Sequence, residues 1–189
     1  MSTALRIAVV FVLVLGNAVF VAAEYALVTA RRSRLEERAE SGGRGAKTAL
    51  RLMDDPVRFI STVQVGITVS AILLGAIGEP LVSSFMEPPL STTVSFLIAF
   101  AILSYLSVVL GELVPKAVAL QKAEMLAIAL AVPLDWLARI THPLVWVLQV
   151  SGNAVLRLLR VKPAPAVLFV DDAAVSLSRV TPAGKLAEP

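Results

Sequence analysis

The chain has 189 residues, 57% of them apolar and 16% charged, with a formal charge of +3 and a mean hydropathy of +0.82. A soluble domain carries roughly 45–50% apolar and about 25% charged residues, so lipid is the solvent over much of this length, which excludes intrinsic disorder and argues against a soluble enzyme. Cysteine is absent, which removes disulfides, thiolate zinc sites and thiol nucleophiles, and a single histidine removes any multi-histidine metal cage.

The first apolar stretch runs from Ile7 to Ala30, interrupted by Asn17 and Glu24. At ~1.5 Å per residue it crosses a ~30 Å hydrocarbon core with some tilt, and it predicts a spanning helix. A cleaved signal peptide ending at Ala22-Ala23 is the competing reading. The apolar segment is longer than the usual ~7–15 residues, and basic residues follow it, which favours the span.

A basic connection comes next. Of the 17 Lys and Arg residues, eight (Arg31, Arg32, Arg34, Arg38, Arg44, Lys47, Arg51 and Arg58) lie between this stretch and the next. That placement follows the positive-inside rule for a cytoplasmic segment. Nucleic acid is not an expected partner, because no aromatic residues are interleaved with the charges and no binding motif accompanies them. Helix-forming residues 35–40 and 47–53 flank Ser41-Gly42-Gly43, predicting a pair of short helices split by a glycine turn.

Phe59 to Gly78 and Thr92 to Gly111 are two further uncharged stretches of spanning length. Between them, Glu79-Pro80 through Pro88-Pro89 reads as a short acidic turn without Lys or Arg. The amino terminus and this turn are therefore expected outside, and the region after Lys116 in the cytoplasm. From Ala123 to Val161 an apolar background carries a polar stripe of Asp135, Arg139, His142, Gln149, Asn153, Arg157 and Arg160. The stripe predicts an amphipathic helix lying along the membrane surface with its polar face toward water, bent or divided at Pro133 and Pro143. A fourth span from Ala123 to Val150 is the alternative. Residues 161–189 read as a loose tail.

Chemistry concentrates in the spans. Glu24 lies seven residues after Asn17, so both project from one helical face, and a carboxylate at that depth costs roughly 2.5–3.5 kcal/mol unless it faces the bundle interior or a wet cavity. Gln64, Thr68, Ala71, Gly75 and Gly78 align along the second span, with Gly66 one step round, a pattern suited to close packing and also to lining a cation path. The sharpest feature is Gly111-Glu112-Leu113-Val114-Pro115-Lys116. Pro115 has no amide hydrogen, so the Gly111 carbonyl loses its partner, and the motif predicts a broken helix with a bare oxygen beside an acid. Transporters bind ions at such breaks, and hard cations such as Mg²⁺ choose oxygen ligands. An ordinary helix stop with Glu112 paired to Lys116 is the plainer reading.

Asn17 through Glu24-Tyr25-Ala26, Thr62-Val63-Gln64-Val65-Gly66-Ile67-Thr68 and Gly111-Glu112-Leu113-Val114-Pro115-Lys116 together resemble the transmembrane domain of the CNNM/CorC (hemolysin C-like) family. The resemblance implies an all-α integral membrane domain over residues 1–160. Its parts are three transmembrane helices, a short cytoplasmic helix pair and a juxtamembrane amphipathic helix. It implies a homodimer in the inner membrane that exports divalent cations such as Mg²⁺ or Co²⁺, with Na⁺ as coupling ion and no bound prosthetic group. Gly111, Glu112 and Glu24 would be the metal ligands, Asn17, Gln64, Gly66 and Thr68 the cavity lining, and Pro115 and Lys116 the helix break. Family members normally continue into CBS domains and a CorC domain, and no such stretch follows Lys162, so the chain reads as a fragment or as a protein regulated elsewhere. Mg²⁺-transporting members tend to carry serine beside the first-helix glutamate and asparagine after the second-helix glycine, where this chain has Ala22, Ala23 and Ile67. Related branches linked to polyamine export supply one alternative, and a non-transporting membrane scaffold supplies another.

Overall fold

A computed structural model describes residues 3–86 and 91–159. The helices are α1 (Thr3–Thr29), α2 (Arg32–Glu40), α3 (Arg44–Met53), α4 (Pro56–Ser84), α5 (Thr92–Val108), α6 (Val114–Gln121), α7 (Ala123–Ile140) and α8 (His142–Leu158), with a π-helical turn, Val109–Leu113, joining α5 to α6. Among the described residues, three helical segments are long and apolar enough to cross a membrane: Ala4–Thr29, Pro56–Ser84 and the continuous Thr92–Gln121. The fold is the all-helical membrane architecture that the apolar runs predict.

Two units divide the chain, the first ending at Val145 and the second beginning at Trp146. In the first, α1 packs along α4, α6 and α7, while α3 lies on α7. Small residues make these approaches close: Ala119, Ala123, Ala127 and Ala131 recur every fourth position and are buried against Ala23, Ala26 and Leu27 of α1. Helices in lipid gain little from hydrophobicity itself, so short side chains that bring backbones together supply the packing. In the second unit α8 runs to Leu158, with the Ser151 hydroxyl donating to the Val147 carbonyl at 2.8 Å.

The glycine-split helix pair is present as α2 and α3, and Gly42 takes φ +89°, the left-handed conformation that glycine adopts without penalty. Arg32 ties the pair together, bonding Asp54 at 2.8 Å and Glu36 at 3.0 Å. Those two hydrogen bonds, Asp54 first, raise the guanidinium pKa above its ordinary value. Asp55 caps α4, its carboxylate accepting from the Arg58 amide at 3.2 Å, with Pro56 at the first helical position. Replacement of an N-cap aspartate typically costs ~1 kcal/mol, so Asp55→Ala is expected to lower thermal stability in detergent by about that amount.

Three expectations are corrected. Glu79-Pro80 is not a turn: α4 continues through it to Ser84, because neighbouring helices and local adjustment accommodate a proline within a membrane helix. Pro88 and Pro89 lie outside the described residues, as does the tail 161–189. The amphipathic stretch is two helices, divided at Thr141 just before Pro143, and Pro133 sits inside α7 without dividing it. Its polar face does not simply meet water. The Asp135 side chain is only 14% exposed and pairs with Arg139 at 2.6 Å and with Arg51 of α3 at 3.9 Å. Half of the α7 stripe therefore serves to dock α3.

Candidate functional site

Two polar constellations lie where α1 crosses the third span. In the upper one, Gly111 is buried on the π-turn and faces Asn17 of α1. The π-turn bonds the Val114 amide to the Val109 carbonyl, one residue wider than an α-turn, and the ring of Pro115 sits just beyond it, in the first turn of α6. The widened turn makes room for the proline ring within a helix that continues on both sides. The predicted break is thus a widening within a continuous helix. Such π-bulges concentrate at functional sites.

The Gly111 carbonyl is not bare. It accepts a hydrogen bond from Asn17 Nδ2 at 3.3 Å, which corrects the expectation of a free oxygen. The reversed amide would set two acceptor oxygens against each other, so this orientation of the carboxamide is the one chemistry allows. It leaves Asn17 Oδ1 buried with no hydrogen-bond partner among the described residues, on a residue only 7% exposed. Ser107 and Ser70 stand close by: Ser107 Oγ is 3.8 Å from where a Gly111 Cβ would be, and Ser70 Oγ is 3.9 Å from the equivalent point on Gly16.

The lower constellation gathers around Lys116. Its ammonium bonds Glu112 at 2.6 Å and lies 4.9 Å from the centre of the Tyr25 ring. Glu24, half-buried two turns beyond Asn17, has the Gln64 side chain of α4 beside it and lies in the field of the same ammonium. The i, i+4 pairing of Glu112 with Lys116 anticipated from spacing is present. Glu112 is 49% exposed, on a different side of the helix from Gly111.

Gly111, Glu112 and Glu24 therefore do not converge on one point. Gly111 meets Asn17, and Glu112 pairs with Lys116, whose charge also reaches Glu24. Among the described residues no three His, Cys, Asp or Glu side chains are grouped closely enough to hold a metal ion. The ring of Phe20 closes on Gly66, 2.6 Å from where a Cβ would stand, which is a packing contact. Thr68 is exposed on the outer side of α4. Ser70, Ser107 and Tyr25 were not picked out as site residues. Ser107 lies one α-turn before Gly111, a spacing that flags it once Gly111 is taken as the centre.

The Cyclin M transmembrane N-terminal domain matches residues 8–176. The chain belongs to the CNNM family. Among its curated relatives, the UPF0053 protein YugS of Bacillus subtilis is 38% identical over 163 residues, covering 82% of this chain and 38% of the relative. The UPF0053 protein sll0260 of Synechocystis is 42% identical over 171 residues, covering 83% and 37%. A polyamine export protein of Haemophilus influenzae is 30% identical over 157 residues, covering 79% and 36%. The chain thus spans little more than a third of the length of these CNNM relatives.

Proposed function

We propose that this CNNM domain is the membrane part of a cation exporter whose cargo passes the crossing of α1 with the π-turn. The supporting observation is Asn17 Oδ1, an acceptor buried at membrane depth without a donor among the described residues. Leaving such a group unpaired costs roughly 1–3 kcal/mol, a cost that a passing cation or its hydration water offsets. The leading cargo is Mg²⁺ or Co²⁺, with Na⁺ entry as the drive. Hard cations take neutral oxygens, and Mg²⁺ keeps several waters, so it does not require a cage of carboxylates. Glu24 and Glu112 supply the negative field, and Lys116 holds Glu112 in place until a cation competes for it. The basic connection from Arg31 to Arg58 supports an orientation with the amino terminus outside, and the domain acts as a homodimer.

Polyamine export is the second reading, favoured by the relative of that name and by the placement of the two acids on different helical segments, α1 and the π-turn, which suits a cation with more than one charged end. Flux into vesicles separates the readings. The parent is expected to move Mg²⁺, and putrescine is expected not to compete; the reverse result assigns the cargo as polyamine. Asn17→Ala removes an oxygen that meets a charge, worth about 1.5–3 kcal/mol, and is expected to slow flux roughly tenfold to a hundredfold. Glu112→Gln, on an exposed position, is expected to slow it at least tenfold. Parent rates in both variants would refute the site.

A further inference from the structure

A cavity of about 370 Å³ lies away from this crossing, lined by Arg31, Arg34, Glu37, Arg38, Ser41 and Glu124. Five of these residues belong to α2 and its flanks, and four of the five, Arg31, Arg34, Arg38 and Ser41, follow spacings of three, four and three and form one stripe along the helix. Glu124 closes the cavity from the start of α7. Arg31, Arg34 and Arg38 form no ion pair within 4 Å among the described residues, neither with Glu37 and Glu124 nor with any other acid. The Ser41 hydroxyl is already committed, donating to the Glu37 carbonyl at 3.0 Å. No side chain caps the first turn of α2, so the positive end of its dipole adds to the arginines. Three guanidinium groups held together without partners repel one another and make a site for an anion.

The level of the cavity identifies the anion. Arg31 stands two residues past the end of the first span at Thr29, and Glu124 three past the end of the third at Gln121. Both walls therefore sit where the chain leaves the hydrocarbon, at the depth of lipid headgroups. We propose that this cavity holds the phosphodiester headgroup of an anionic phospholipid, with Arg31, Arg34 and Arg38 as its ligands. Their planar donor forks match phosphate oxygens, and Glu37 and Glu124 set an upper limit on the affinity. The proposal stands apart from the transport reading, since it concerns a different set of residues and is read without measuring flux.

The test is native mass spectrometry of the protein released from vesicles of phosphatidylglycerol and phosphatidylcholine mixed equally, scoring retained lipid. The parent is expected to keep phosphatidylglycerol preferentially. Replacing Arg31, Arg34 and Arg38 together by Gln is expected to cut that preference at least tenfold. Replacing Arg44, Lys47 and Arg51 by Gln removes the same charge from the same connection and is expected to change it less than twofold. Equal losses from the two sets would mean a general surface field and would overturn the site. The double variant Glu37→Gln, Glu124→Gln keeps every arginine and is expected to raise retention severalfold, a gain that misfolding does not produce; unchanged retention there also overturns the proposal. Millimolar inorganic phosphate is expected to leave the lipid in place, and full displacement by it would assign the cavity to a soluble phosphate instead.

Discussion

Gly111→Ala is expected to halt cation movement and to cost roughly 2–4 kcal/mol of stability. A Cβ at this position would stand 2.8 Å from Asn17 Nδ2, closer than real contacts permit. Two costs add. Forcing a methyl into a packed crossing typically costs ~1–3 kcal/mol, and moving the carboxamide away leaves the Gly111 carbonyl without its donor inside the membrane. Pro115 makes the second cost unavoidable, because it offers no amide in the donor's place. Asn17→Ala makes room for the methyl, so the double variant should be less damaged than the sum of the single ones, with a coupling of ~1–2 kcal/mol. Thermal unfolding in detergent measures that energy, and vesicle flux should stay at least about tenfold below the parent in all three variants, since each lacks the Asn17 oxygen or its position. Additive energies would show that the two residues do not share a contact. Flux restored in the double variant would remove Asn17 from the path.

The spans were legible because the bilayer imposes a length and penalises charge, and both are properties of a run of residues rather than of a fold. Phe59–Gly78 fell inside a helix that extends to Ser84 beyond it. Periodicity was less informative where a polar face has two possible destinations. Asp135 and Arg139 keep helical spacing whether they face water or the guanidinium of Arg51, which lies 84 positions earlier in the chain, and nothing local distinguishes the two. The same limit governs the site. The sequence shows that Pro115 cannot donate to Gly111, but the group that does so is on Asn17, 94 residues away. The widened turn that accommodates the proline follows from that tertiary contact and from continued helix on both sides. Glu24, Gln64, Glu112 and Lys116 were recognisable by the rarity of such groups at membrane depth. That the ammonium paired with Glu112 also acts on Glu24 was not, since it depends on how α1 crosses α6.

Gly45→Ala should be the most damaging single change outside the spans, at about 2–3 kcal/mol. Gly45 lies in the first turn of α3, and an added Cβ would be 2.5 Å from the Ile128 carbonyl oxygen and 2.8 Å from its Cγ2. The first of these is backbone, and the backbone of α7 cannot turn aside as a side chain does. Relief therefore requires α3 to lift from α7, which exposes Ala46 and Ala49 and stretches the Arg51–Asp135 pair already at 3.9 Å. Overpacking accounts for ~1–3 kcal/mol of the cost, and the loss of the buried alanine face adds to it. Limited proteolysis reads the lifting directly, as faster cleavage between Ser41 and Asp55, while thermal unfolding reads the energy. Gly152→Ala is the control. It sits inside α8 with nothing within 4 Å of its added Cβ, so the better helix propensity of alanine should leave stability unchanged or raise it by ~0.5–1 kcal/mol. Opposite signs at the two glycines would establish that contact with α7, and not glycine's place in a helix, decides the effect. Equal signs would mean that α3 does not rest on α7 as the coordinates place it, and Asp135 would then have to be read as a surface charge after all.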